Sequence, residues 1–91
     1  MNNIITHDPE EVIQNSNARF FMVVWTNSQG TFFGTGGGGF QNAAHGPMES
    51  PAVERNRAVE EYNNLTRVAR SHTIIKDGRV DLIPLPIYAQ E

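Results

Sequence analysis

The chain has 91 residues, 38% of them hydrophobic and 19% charged, with a formal net charge of -3 at pH 7 and no cysteine. That length holds one domain and leaves no residues for a second core. The lack of cysteine excludes disulfide frameworks, thiolate zinc sites and thiol catalysis, and the acidic balance opposes non-specific nucleic-acid binding, which relies on clustered Lys and Arg.

Taken in chain order, Asp8-Pro9-Glu10-Glu11 sets an acidic cap before a proline at the first helical position. A short helix is therefore expected through about Gln14, stopped by Asn15-Ser16-Asn17. The segment from Arg19 to Thr26 is rich in aromatic and β-branched residues and reads as a strand, with Asn27-Ser28-Gln29-Gly30 turning it into a second strand, Thr31 to Phe33. Along the first strand Phe20, Met22 and Val24 alternate with Phe21, Val23 and Trp25, so both faces are apolar. One face is expected to cover a helix. The other needs either the short N-terminal helix or a second copy of the chain, and a homo-oligomer is the favoured arrangement.

Residues 34–50 hold Gly34, Gly36, Gly37, Gly38, Gly39 and Gly46 without periodicity and read as a long Gly-rich loop. Ser50-Pro51 then supplies a cap and a first-turn proline for a long helix to about Arg70. Ala58, Tyr62, Leu65 and Ala69 form its apolar stripe, and Arg57 and Glu61 form an outer i, i+4 pair. Asp77-Gly78, between Thr73–Lys76 and Arg79–Ile83, carries the signature of a two-residue type I′ hairpin. Pro84 and Pro86 end regular pairing and leave residues 84–91 as an extended tail. The chain thus reads as one α+β domain over 1–91. Its order is a short N-terminal helix, a β-hairpin, a long helix and a second β-hairpin, with the antiparallel sheet packed on the long helix.

The stretch Gly34 to Gly39 spells G-x-G-x-x-G after a strand, yet no helix opens at its end and the chain is too short for two βαβ halves. A P-loop would need Lys and Ser or Thr where Phe40-Gln41 stand. No motif here identifies a family. What these glycines offer is backbone N–H groups free to converge on an anion. Six of the seven basic residues are Arg, which suits bidentate pairing with phosphate. The expected ligand set is therefore Gly36, Gly37, Gly38, Gly39, Phe40, Asn42 and His45 from the loop, with Arg55 and Arg57 from the first turns of the long helix.

His7, His45 and His72 show no metal-ligand spacing, so no metal or other cofactor is expected. His7 is read as part of the first helix cap, and His72 as an imidazolium favoured by the long helix's C-terminal dipole. Glu60 and Glu61 point about 100° apart on a helix and cannot share a substrate. Hydrolysis through His45 and Glu49 is a remote alternative.

The resulting expectation is a non-enzymatic, cytoplasmic, oligomeric binding protein for a phosphate-bearing, nucleotide-like small molecule. The alternative is a protein-interaction module or inhibitor, such as the small accessory proteins that phages carry. It would use the apolar face of strand 19–26, the Phe40 loop and the C-terminal tail. No membrane partner is expected, since no apolar run approaches the ~18 residues needed to cross a bilayer and Met1 to Asp8 lack a signal-peptide pattern.

Overall fold

The computed structural model describes residues 3–34, 40–42 and 52–85. In chain order they form β1 (Asn3–Ile5), α1 (Pro9–Gln14), β2 (Phe20–Asn27), β3 (Gly30–Gly34), β4 (Phe40–Asn42), β5 (Val53–Glu54), α2 (Arg55–Ser71) and β6 (Asp77–Pro84). The strands make one six-stranded sheet in the order β1-β6-β2-β3-β4, with β5 added to β2. The fold is α+β, with the long helix packed against the sheet, as the sequence pattern implies.

Local signals in the sequence account for α1 and for the β2–β3 hairpin. The Asp8 side chain accepts a hydrogen bond from the Glu10 amide at 3.0 Å, and Pro9 supplies a fixed φ where no amide donor is needed. Asn27 pairs with Gly30 across Ser28-Gln29, and Gly30 turns the chain at φ 136.

Alternation on β2 divides the sheet into two faces. Phe21, Val23 and Trp25 are fully buried, and with Val80 and Leu82 of β6 they form the floor of the core. Above it lies the stripe of α2, Ala58, Tyr62, Leu65 and Ala69, also buried. Each large side chain so buried contributes about 1.5–3 kcal/mol, which is what holds the helix down. Val12 and Ile13 of α1 pack against the same cluster. Both helices thus lie on one face, and the short N-terminal helix does not cover the other, where Phe20 and Met22 are half-buried.

Three sequence-based expectations change. Asp77-Gly78 is the start of one continuous strand, not a hairpin turn, and the sheet is mixed because β1 runs parallel to β6, Asn3 opposite Asp77 and Ile5 opposite Arg79. The backbone of 73–76 is instead held by His72, whose Nδ1 accepts from the amides of Ile74 and Ile75 at 3.2 and 2.9 Å. Gly78, at φ 114, serves close approach: a Cβ there would collide with the Thr26 carbonyl and lie 2.9 Å from Trp25 Nε1. Second, the long helix begins at Arg55, not near Pro51, because Val53 and Glu54 pair with Phe21 and Phe20 of β2 and Val53 is buried. Third, the 34–50 loop contains β4, in which Phe40 pairs with Gly34 and Asn42 with Phe32.

Candidate functional site

At the Phe20 end of β2, where α1, β5 and the start of α2 meet, the surface opens into a groove of about 590 Å³. Ile13, Arg19, Phe20, Glu54, Arg55 and Asn56 line it. Register builds it: Phe20 and Glu54 are direct cross-strand partners, and the Arg55 amide donates to the Arg19 carbonyl at 2.9 Å. Residues 19–20 and 54–56, far apart in sequence, are thereby brought to one corner of the sheet.

Arg55 has a structural task there. Its guanidinium donates to the carbonyls of Ile13, Ser16 and Ala18 at 2.6, 2.7 and 2.9 Å, and sits 5.9 Å from the centre of the Phe21 ring. It gives the Ile13 carbonyl in the last turn of α1 a second donor beside the Ser16 amide and fixes the connection into β2. The charge stays at the groove wall while three of its N–H groups are occupied. Arg19, exposed at the rim, has no hydrogen-bond or ion-pair partner for its guanidinium among the described residues.

Arg57 goes elsewhere. Its Nη2 donates to Glu61 Oε2 at 3.0 Å, one turn further along α2, and Arg57 does not line the groove. The Glu61 hydrogen bond raises the Arg57 guanidinium above its usual value, with the neighbouring carboxylate charges adding to this. The Glu61 side chain is only 3% exposed, so the pair anchors the helix surface and covers a carboxylate that would otherwise be buried alone.

Of the other residues expected from the sequence, Gly36, Gly37, Gly38, Gly39 and His45 lie outside the described residues. The backbone of Phe40 and Asn42 lies in β4. The ends of the Gly-rich stretch, Gly34 and Phe40, are register partners. Extending the Val24–Phe33 pairing by one residue sets Gly34 beside Val23. That position is about 10 Å along β2 from Phe20 at the usual strand rise.

His7 and His72 both serve the backbone. The Leu82 amide donates to His7 Nε2 at 3.2 Å, and the His7 amide donates to the Tyr62 hydroxyl at 3.0 Å. That hydroxyl donates in turn to the Val80 carbonyl at 2.8 Å. His7 therefore pins the chain between β1 and α1 onto β6 and takes no part in the α1 cap, which belongs to Asp8. His72 accepts two amides through Nδ1, which requires that nitrogen unprotonated, and its ring meets Trp25 edge-on at 5.5 Å. The ring thus organises the 73–76 backbone, while the His72 amide closes α2 on the Ala69 carbonyl at 3.4 Å. Asp81 is held by Arg79 at 3.0 Å and lies 3.6 Å from His7 Nε2. Burial, assisted by the Asp81 charge, pushes the Tyr62 phenol above its ordinary value.

The sequence pattern did not single out Arg19, Phe20 or Glu54 as neighbours in a site. The available signal was the β2 strand pattern itself, which reaches Arg19, but its partner strand β5 is only Val53-Glu54 and carries no periodicity. Comparison with protein-family models, with curated proteins and with solved structures gives no match to this chain.

Proposed function

We propose that the protein is a non-enzymatic binding module that holds a phosphate-bearing small molecule in the groove at the start of α2. The observation that carries this reading is the groove itself. Its volume, about 590 Å³, lies within the range of small-molecule sites, and its wall combines apolar Ile13 and Phe20 with the Arg19 guanidinium, which has no partner among the described residues. Arg19 offers a planar, bidentate donor to a phosphate. The N-terminus of α2 faces the same corner, its Arg55 amide held by the Arg19 carbonyl and Glu54 making no side-chain cap. Among the described residues His7, His72 and Asp77 are engaged with backbone groups, which accords with a binding role.

Isothermal calorimetry with AMP, 3′,5′-cyclic AMP and ADP-ribose tests the reading. At least one probe gives a single saturable site, and Arg19→Ala weakens it by about tenfold, the loss of ~1.4 kcal/mol expected for one charge-assisted contact. Arg57→Ala, outside the groove, leaves it unchanged. Absence of heat with every probe, or a site indifferent to Arg19→Ala, overturns the reading.

A second reading, as a protein-interaction module, rests on the sheet face opposite the helices. There Ile83, 37% exposed, is the cross-strand partner of half-buried Met22, while Ile5, 62% exposed, lies at the other end of the face beside Arg79. We propose a second copy of the chain as the occupant, its Ile83–Met22 patch packing on the same patch across a two-fold axis, with the neighbouring Arg79–Asp81 pair at the rim.

A further inference from the structure

We infer, on the premise that the groove is a ligand site, that it selects a ribonucleoside phosphodiester monoanion over a phosphate monoester. The inference starts from the ionised side chains on the wall. Arg19 and Arg55 against Glu54 leave one positive charge. A monoester carries about −1.5 to −2 at neutral pH and a diester carries −1, so only the diester is balanced by the wall.

Glu54 sharpens the choice. It is the direct cross-strand partner of Phe20, so their Cβ atoms stand on one face of the sheet about 4.5–5.5 Å apart. Its carboxylate is exposed and makes no capping bond to α2, although it occupies the cap position. An ionised carboxylate only accepts hydrogen bonds. A phosphate oxygen placed against it is repelled, whereas a ligand hydroxyl donates to it. The groove therefore presents an anion contact at Arg19, a hydroxyl contact at Glu54 and an apolar wall at Phe20 and Ile13. Asn56, exposed at the first turn of α2, adds an amide that both donates and accepts. A ribose hydroxyl, a singly charged phosphate and a planar base match these three walls in one molecule.

Calorimetry of the whole chain with 3′,5′-cyclic AMP, its 2′-deoxy analogue, AMP and inorganic phosphate separates the alternatives. Cyclic AMP binds at least about tenfold more tightly than AMP and than its deoxy analogue, and Glu54→Gln brings AMP to within about threefold of it. AMP equal to or tighter than cyclic AMP, or a preference untouched by Glu54→Gln, overturns the inference. The comparison among probes on the unmodified protein stands even if the variant folds poorly. If AMP or phosphate binds without such preference and Arg19→Ala removes it, the ligand site survives and only the ligand class falls. If no probe binds, both fall.

Discussion

Single side chains in this protein do the joining that a larger core would do by area. Arg55 ties three carbonyls from two segments to the first turn of α2. Tyr62, near the middle of the same helix, joins the chain after β1 to β6 through one hydroxyl that accepts from the His7 amide and donates to the Val80 carbonyl. A phenolate cannot donate, so ionisation breaks the bond to Val80. Because burial raises the phenol in the folded state, the stabilisation it gives is complete below the unfolded value near pH 10 and is lost as pH rises through the folded value. Tyr62→Phe is expected to cost about 1 kcal/mol at pH 7, the net worth of a hydrogen bond. It should also flatten the fall in stability between about pH 9 and 11. Urea titrations of both proteins across that range measure it, and equal alkaline losses would refute the assignment.

The glycines at the start of β3 and at the start of β6 look alike in sequence but differ in origin. Gly30 is required by a two-residue hairpin, whereas Gly78 is required because β6 passes so close to Thr26 and Trp25. Gly78→Ala is therefore expected to destabilise by about 2 kcal/mol or more, through strain at positive φ and collision with the Thr26 carbonyl. Retention of wild-type melting would show that β6 and β2 can separate without loss. This contrast also explains what the sequence made legible. The alternation of Phe20 to Trp25 and the stripe of Ala58, Tyr62, Leu65 and Ala69 are local patterns, and they locate β2, α2 and the core. Asp77-Gly78 misleads because its local signature cannot register β1 arriving as a parallel neighbour from the other end of the sequence. The helix start was missed for a related reason: the Phe20–Glu54 and Phe21–Val53 pairs outweigh the proline signal at 51. The groove inherits both difficulties, since its wall is assembled by that same pairing. Arg55 was legible as a cation at the head of the helix, but its three carbonyl partners were not.

For the whole molecule, both helices lie on one face, and the proposed self-association uses the other. Ile83→Lys puts a charge in its middle and is expected to abolish self-association while leaving the melting temperature of the monomer within a few degrees. Sedimentation velocity over a range of concentrations checks this, and a wild-type chain that stays monomeric at the highest concentration removes the dimer reading. The strand order has a consequence of another kind. β6 lies between β1 and β2, so the earliest strand and the central hairpin both pair with the latest one. During synthesis neither has its neighbour until residues 77–84 have left the ribosome. Until then Phe21 has only β5 and Trp25 only β3 as strand partners, and such long-range closure is slow compared with helix formation. The nascent chain therefore completes its sheet late, with one side of its most apolar strand unpaired until β6 arrives.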